Sequence, residues 1–240
     1  APMPVRIVPA QANSGSVFRQ WLKGAELARG DYLWIAEADD LAAPDFLATV
    51  MPAFADASVA MSYCQSCQID ETGAMLADDY LAYTDSIDRE RWRSRFTASL
   101  EDELRNGLSV KNTVPNVSAV VFRRERIRET LREHIDRIAS FRVAGDWYAY
   151  IKLLERGKIA FAPKASNRHR RHRQSVTLGG DGILHLREVI SVQRMAAERL
   201  PCRQTKDRAD AYAEELYRYF GLHSEEAPTL SAHPQFRGSL

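Results

Sequence analysis

The sequence predicts an α/β fold in which a mainly parallel sheet is flanked by helices. Helical and strand patterns alternate through the first two thirds of the chain, which is the order expected of such a sheet. Of the 240 residues, 45% are hydrophobic and 27% are charged, so the chain can bury a sizeable core. The apolar run Tyr32 to Ala36 is typical of a covered strand, and carboxylates follow at its C-terminal end, where open α/β sheets place their ligands.

The first half of the chain contains two predicted helices and a further strand. Ser16 to Arg29 carries apolar residues at helical spacing, and Gly30 is expected to end this helix. Pro44 to Phe54 is predicted to form the second helix. Val59 to Ile69 has the composition of a strand, and Asp70 to Gly73 that of the turn after it.

The second half continues the alternation. Asp88 to Leu108 places apolar side chains at fourfold spacing, which predicts one long helix over the core. The elements expected after it are a strand over Val117 to Arg123, a helix over Glu125 to Ile138, a helix over Asp146 to Glu155 and a strand over Ile159 to Ala162.

The C-terminal part differs in character from the rest. A Gly-Gly-Asp-Gly link at Gly179 to Gly182 precedes two amphipathic patterns, Ile183 to Leu200 and Lys206 to Leu222, which predict a helical hairpin or a connection to another module. The polar tail beyond His223 is expected to be disordered. These boundaries predict a main domain over 1–178, a helical appendage over 179–222 and a tail over 223–240.

Charge and cysteine content exclude several classes of protein. Net charge is +1, with 33 basic and 32 acidic residues, so no global field attracts nucleic acid or an anionic membrane. The apolar runs are far shorter than the roughly 20 residues that a membrane span needs. The odd set of Cys64, Cys67 and Cys202 fits a reducing compartment and structural thiols rather than a disulfide framework.

The carboxylates after the first predicted strand allow two interpretations. Glu37 and Asp39 are two residues apart, so a turned backbone can aim both at one hard divalent cation, which prefers oxygen ligands. Alternatively, Asp39 or Asp40 caps a helix whose first turn contains Pro44. Composition alone favours the cap over the metal site.

The run Arg168 to Arg173, R-H-R-R-H-R, is the one concentrated basic patch of the sequence. It can neutralise a diphosphate, contact anionic lipid or nucleic acid, or form a solvated strand edge that prevents aggregation. Nucleic acid is the least favoured of these ligands because interleaved aromatic residues and an overall basic face are absent from the sequence.

The segment from Asn13 to Asp40 resembles the middle of a family 2 glycosyltransferase with the GT-A fold. Members of that family carry N-x-G, a helix, A-x-G-[DE]-Y and then the metal motif D-x-D-D. The residues that match this pattern are Asn13, Gly15, Ala28, Gly30, Asp31, Tyr32, Asp39 and Asp40. Glu37 replaces the usual first aspartate, which keeps the charge and lengthens the side chain by one methylene.

Four later segments resemble the same family in the same order. Ser62 to Gly73 is similar to the strand and turn after the metal motif, and Asn112 to Arg124 to the strand beside the acceptor site. Gly145-Asp146-Trp147 falls where the family has its catalytic carboxylate, and Arg170 to Thr177 matches the closing R-x-H-x-x-S-x-T. The resemblance covers roughly Val5 to Thr177.

The resemblance implies roles for the donor side of the site. Asp39 would bind a divalent cation, manganese or magnesium, and His172 would be a further metal ligand or a diphosphate contact. A histidine in a basic loop is otherwise most often solvated. The residues expected on the donor side are Asn13, Gly15, Glu37, Asp40 and Arg170, with Glu37 contacting ribose or metal and Asp40 orienting the loop.

The resemblance also implies the base and the acceptor contacts. Asp146 would accept the proton of the acceptor hydroxyl, whereas spacing alone favours a plain helix N-cap aspartate. Asn116, Ser118 and Trp147 would contact the acceptor, while ordinary loop and strand polarity is the alternative for Asn116 and Ser118.

The function implied is an inverting, metal-assisted glycosyltransferase that moves a sugar from a nucleotide-sugar donor to a glycan or lipid-linked acceptor. We expect a cytoplasmic protein, or one peripheral to the inner membrane surface, with no nucleic-acid partner. The alternative is a non-catalytic remnant that binds glycans or serves as a scaffold.

The donor-binding motifs P-x-Y-N and D-D-x-S-x-D of the family do not occur in this sequence. Val5 to Val8 would then be the third strand of the fold, and we expect the chain to be a segment of a longer protein with other domains. As a segment, it should bind a nucleotide poorly.

Overall fold

The computed structural model describes residues 5–9, 12–171 and 181–222. The described residues form one sheet of seven strands. The strands are β1 (Tyr32–Trp34), β2 (Leu41–Ala42), β3 (Val59–Ile69), β4 (Met75–Ala77), β5 (Phe96–Ala98), β6 (Val120–Arg123) and β7 (Lys158–Arg170). The predicted strand over Val59 to Ile69 is confirmed residue by residue, and the apolar run after Asp31 yields the shorter β1.

The strand order is β1-β6-β3-β7-β2, with β4 paired to β3 and β5 paired to β7. Only β3 and β7 run parallel among the described pairs, and the other pairs are antiparallel. The α/β class is therefore confirmed, but the sheet is mixed and the expectation of a mainly parallel sheet was wrong. Apolar periodicity identifies strands without encoding their direction, which is why the sequence could not show this.

Helices cover both faces of the sheet. They are α1 (Val17–Leu27), α2 (Phe46–Val50), α3 (Leu81–Thr84), α4 (Leu100–Glu103), α5 (Arg124–Ser140), α6 (Gly145–Leu154), α7 (Gly182–Arg199) and α8 (Arg203–Tyr219). Short 3₁₀ segments cover Met51–Ala55, Arg91–Arg93 and Val117–Ala119, and a π-helical turn covers Leu104–Leu108. The helices predicted around α1, α5 and α6 are confirmed.

Alternating side chains of β6 divide between two apolar clusters, one on each face of the sheet. Val120 and Phe122 belong to the large cluster under α1, α5 and α6. Val121 belongs to the smaller cluster under α2, where Phe46 and Val50 are buried. This period-two alternation is what a strand buried on both faces requires. The two clusters fix the sheet on both sides and leave its strand ends to carry polar residues.

Two predicted elements differ in the structure. Val5 to Val8 is not a strand, since it pairs with none of the described strands, and its side chains are exposed. Asp88 to Leu108 is not one helix, since β5 interrupts it and pairs with β7. Ser99 then begins α4 by a capping box with Asp102, so a local cap and a long-range strand pairing outweigh the fourfold apolar spacing.

The two C-terminal helices pack against each other and against the main core. Leu186 and Ile190 of α7 form a small cluster with Ala213 of α8. Val189, Val192 and Ala196, on the same helix α7, belong to the large core cluster. Gly179 and Gly180 of the predicted link, and the whole tail at 223–240, lie outside the described residues.

Two further properties bear on the location and redox state of the protein. Within the ranges that the structure describes, no helix has both the length and the apolarity to cross a bilayer. Cys64, Cys67 and Cys202 are free thiols. Burial raises the pKa of Cys64 to about 12, which keeps this thiol unreactive in the core.

Candidate active site

The loop after β1 carries the acidic cluster, and the turn before β6 holds it. The indole Nε1 of Trp34 donates to the carbonyl oxygen of Ser118 at 2.8 Å, and the backbone N–H of Glu37 donates to Ser118 Oγ at 3.0 Å. Ser118 is buried in the 3₁₀ turn Val117–Ala119. The sequence-predicted acceptor contact Ser118 is thus occupied in positioning the acidic loop.

Asp40 is bound at both carboxylate oxygens. Its Oδ2 accepts from Asn116 Nδ2 at 2.6 Å, and its Oδ1 accepts from the backbone N–H of Arg170 at 2.8 Å. These two contacts tie the acidic loop to the turn before β6 and to the end of β7. Because both oxygens are engaged, Asp40 has the contacts of a loop-orienting residue rather than of a metal ligand.

A buried network of amide and hydroxyl groups holds the side chain of Asn116. Ser66 on β3 donates to Asn116 Oδ1 at 3.2 Å, and Asn167 on β7 donates to Ser66 Oγ at 3.0 Å and to Asn116 Oδ1 at 3.1 Å. All three side chains are buried. Sequence reasoning missed Ser66 and Asn167, although polar residues within otherwise apolar strand patterns were a usable signal.

The guanidinium of Arg170 connects two loops through their carbonyl groups. Its Nε donates to the carbonyl of Asp39 at 2.7 Å, and its Nη1 donates to the carbonyls of Asp70 at 2.7 Å and Glu71 at 3.2 Å. The side chain therefore joins the acidic loop to the turn between β3 and β4. The positive charge of Arg170 lies beside the acidic loop without pairing directly with its carboxylates through these bonds.

The electrostatics of the acidic loop are dominated by negative charge. Burial, together with the charges of Asp40, Asp39 and Asp146, raises the pKa of Glu37 to about 7. Asp39 itself is exposed on the loop. Across the described ranges, no group of three acidic, cysteine or histidine side chains is close enough to hold a metal alone. The predicted ligand His172 lies outside the described residues.

Asp146 lies in the first turn of α6 and is half-buried. Asn112 Nδ2 donates to its Oδ2 at 2.9 Å, and the backbone N–H of Trp147 donates to its Oδ1 at 2.7 Å. Burial raises the pKa of Asp146 to about 6, although these two hydrogen bonds lower it. The charge of Asp146 contributes to the raised pKa of Glu37, so the two carboxylates are near enough to interact electrostatically.

Gly145 allows α6 to lie close to α1. A Cβ at this position would lie 2.3 Å from a ring atom of Phe18 and 2.8 Å from the carbonyl oxygen of Ile138. Both are well inside van der Waals contact, so only glycine fits. The glycine before the proposed base therefore serves packing, and it fixes Asp146 relative to α1.

Trp147 belongs to the core rather than to a surface. Its side chain is 2% exposed, and its Nε1 donates to the carbonyl of Leu108 at 3.0 Å. Asn116 and Ser118 are also buried. The three residues assigned to the acceptor thus pack beneath the site, because each side chain is engaged by an internal partner.

Asn13 and Gly15 form the turn before α1. The Gly15 N–H donates to Asn13 Oδ1 at 2.9 Å, and Gly15 has φ of +71°, a conformation that favours glycine. Ser16 then caps the helix by accepting from the N–H of Phe18. A shallow concavity of about 450 Å³ lies over this turn.

A tyrosine and histidine pair near the acidic loop was not predicted. Tyr80 Oη and His169 Nδ1 are 2.6 Å apart, and their rings stack. Burial raises the pKa of Tyr80 to about 12, with the charge of Asp40 adding to the shift and that of Arg171 opposing it. The sequence carried no spacing signal that could join residues this far apart along the chain.

A mixed sheet with flanking helices and an acidic loop at a strand end is the arrangement of a GT-A-like transferase. The chain belongs to the glycosyltransferase family whose model is described as Glycosyl transferase family 2, which matches residues 1–129, more than half of the sequence. The protein is thus a glycosyltransferase, a class that uses a sugar donor and an acceptor. No curated protein matches the chain significantly. The matched region contains the acidic loop and ends before Asp146.

Proposed function

We propose that the protein is an inverting glycosyltransferase that moves a sugar from a nucleotide-sugar donor to a hydroxyl group of a glycan or lipid-linked acceptor. The observation that carries this proposal is the electrostatic interaction between Asp146 and the acidic loop. Asp146 is a half-buried carboxylate with its pKa raised to about 6, and its charge acts on Glu37 in the acidic loop. A single-displacement transfer needs a base for the acceptor hydroxyl close to the loop that binds the donor diphosphate.

Asp146 is the proposed base. As the acceptor oxygen bonds to the anomeric carbon, the acceptor O–H proton passes to a carboxylate oxygen of Asp146, and the bond from that carbon to the diphosphate oxygen breaks. One displacement inverts the anomeric configuration. A pKa of about 6 leaves Asp146 ionised at neutral pH while making it a better base than an ordinary aspartate. Asn112 and the N–H of Trp147 hold the carboxylate during this step.

The acidic loop is the proposed cation site. Burial, with the charges of Asp40, Asp39 and Asp146, raises the pKa of Glu37, and a bound divalent cation would favour its ionised form. Asp39 and Glu37 would hold manganese or magnesium, whose charge, when bound, neutralises the departing diphosphate. Since no three-ligand group exists within the described ranges, oxygens of the donor are proposed to complete the coordination.

The remaining donor-side residues are proposed to shape the loop and its surroundings. Asp40 and Arg170 hold the acidic loop against β7 and the turn after β3. Asn13 and Gly15 are proposed to line the donor side through the concavity before α1. We place the enzyme in the cytoplasm, or at the inner membrane surface where its acceptor is lipid-linked.

Release of nucleoside diphosphate tests this function. The protein, in its full natural length, is incubated with manganese and UDP-glucose, UDP-galactose, UDP-N-acetylglucosamine or GDP-mannose, with water as the acceptor. We expect release from at least one donor, inversion at the anomeric carbon by NMR, and a loss on the order of 100-fold or more in Asp146→Asn. Asp136→Asn, which changes an exposed aspartate of α5, is the control. Equal rates in Asp146→Asn and the wild type would refute the assignment of the base.

A further inference from the structure

Glu188 of α7 binds the backbone that leads into the proposed base. Its carboxylate accepts from the N–H groups of Arg142, Val143 and Ala144 at 2.7, 2.7 and 3.0 Å. The side chain is 6% exposed. These three residues join α5 to α6, and Asp146 follows in the first turn of α6. One buried carboxylate thus holds the whole connection before the proposed base.

Local sequence does not hold this connection. Ala144 occupies the N-cap position of α6 and has no side-chain oxygen with which to cap the helix. The carboxylate that binds this segment instead comes from a helix more than 40 residues further along the chain. Three N–H bonds to one ionised group form a rigid arrangement, since charge-assisted hydrogen bonds are stronger than neutral ones.

Helix α7 also holds the segment before Asn112, whose side chain donates a hydrogen bond to Asp146. Gln193 Nε2 donates to the carbonyl of Val110 at 2.8 Å and to the carbonyl of Ala209 on α8 at 3.0 Å. The buried Gln193 therefore joins both C-terminal helices to the segment that carries Asn112. Helix α7 thus binds the chain shortly before both hydrogen-bond partners of Asp146, which are Asn112 and the Trp147 N–H.

Lys111 adds a second link to α8. Its Nζ lies 4.1 Å from the ring centroid of Tyr83 and 4.9 Å from that of Tyr212 on α8, and it donates to Ser86 Oγ at 2.9 Å. Cation–π contacts of this kind are strongest when the cation is desolvated. The residue directly before Asn112 is thereby clamped between α3 and α8.

We propose that Glu188 is a positioning residue for the base Asp146, and that the helical pair α7–α8, outside the family match at residues 1–129, sets the geometry of the catalytic carboxylate. This inference rests on the proposed function. Glu188 does not act on substrate; it acts by holding the 142–144 connection. Loss of its carboxylate should therefore reduce turnover more than donor binding.

The pH dependence of turnover distinguishes positioning from a purely structural role. The charge of Glu188 contributes to the raised pKa of Asp146, and the charge of Asp146 in turn raises the pKa of Glu37, Tyr83 and Tyr150. The charge of Glu188 raises the pKa of Asp146, so Glu188→Gln should lower that pKa and move the acidic limb of kcat/KM to lower pH.

His185, on the same helix as Glu188, also responds to the charge of Glu188. Burial lowers the pKa of His185, and the charge of Glu188 opposes that shift. Glu188→Gln should therefore lower the pKa of His185 still further.

The experiment combines turnover with amide exchange in the full-length protein. In Glu188→Gln, we expect kcat for nucleoside diphosphate release to fall on the order of 10- to 100-fold with little change in donor KM. Hydrogen exchange at the amides of 142–144 should accelerate. Glu188→Asp keeps the negative charge on a shorter side chain, so it should retain the wild-type acidic limb and lose less kcat. It tests the positioning role if Glu188→Gln folds poorly. Glu198→Gln, an exposed change on the same helix, is the matched control and should resemble the wild type.

The outcomes separate the two claims. If the wild type is active but Glu188→Gln keeps its kcat and acidic limb, the positioning inference is overturned while the proposed function remains. Unchanged exchange at 142–144 in Glu188→Gln would overturn it as well. If the wild type releases no nucleoside diphosphate from any donor, the proposed function fails first, and the inference fails with it.

Discussion

The side-chain amide of Asn116 donates to the carboxylate of Asp40 at 2.6 Å, and this contact joins the acidic loop to the interior of the sheet. Asn116 is held in turn by Ser66 and Asn167, which lie on adjacent parallel strands. The acidic loop is therefore positioned by a buried polar network rather than by its own sequence. This dependence leads to the first prediction.

Asn116→Ala should lower both stability and activity. The substitution removes the acceptor of the buried Ser66 hydroxyl and one of the two acceptors of the Asn167 amide. We therefore expect the free energy of unfolding to fall by about 1–3 kcal/mol in urea titrations. Nucleoside diphosphate release should fall because Asp40 loses one anchor. Asn106→Ala removes an amide bonded to a backbone carbonyl in an exposed position and is the control. Equal effects of the two variants would argue against the network.

Trp147→Phe should affect stability and leave the donor KM unchanged. The substitution removes the hydrogen bond from Trp147 Nε1 to the carbonyl of Leu108 and leaves a small void in the core. We expect a loss of about 1–3 kcal/mol in the free energy of unfolding. A raised acceptor KM with unchanged stability would show instead that the indole contacts the acceptor, as the family resemblance implied.

Lys111→Met should change how stability depends on pH. Burial lowers the pKa of Lys111 to about 8, and the side chain is 4% exposed. The unfolded lysine titrates near 10.4, so between about pH 8 and 10 the unfolded state binds more protons and the contribution of Lys111 to stability rises with pH. The wild type should therefore gain stability relative to Lys111→Met over this range, by at most about 3 kcal/mol.

Chemical denaturation of both proteins at several pH values checks this prediction. Shifted groups common to both, such as Cys64, cancel in the difference. Lys206→Met, an exposed change on α8, is the control and should give a difference that does not vary with pH. A flat difference for Lys111→Met as well would show that Lys111 is solvated in the folded protein.

Local patterns predicted the elements whose signals are local. The apolar stripe within Ser16 to Arg29 predicted α1, which Ser16 caps in the structure, and the apolar run Val59–Ile69 predicted β3. The prediction of one helix over Asp88 to Leu108 was wrong because β5 forms there by pairing Phe96 with Phe161, a partner that helical periodicity cannot reveal. The prediction of a mainly parallel sheet was wrong for the same reason, since local patterns do not reveal which strands pair.

The candidate site divides in the same way. The acidic residues after β1 were visible as a motif, and the family match covers them. The buried states of Asn116, Ser118 and Trp147 depend on partners distant in sequence, so the motif could not reveal this burial. Glu188 carried no motif at all, since its function arises only from the contact of α7 with the 142–144 connection.

Titration of manganese by calorimetry, with and without UDP, tests the central claim that the acidic loop binds a donor diphosphate through a cation. The comparison uses the full-length wild type, Asp39→Ala and the control Asp136→Ala. We predict that the wild type and the control bind manganese more tightly when UDP is present, and that Asp39→Ala loses this binding. Binding by Asp39→Ala equal to that of the wild type, or no effect of UDP on the wild type, would contradict the account.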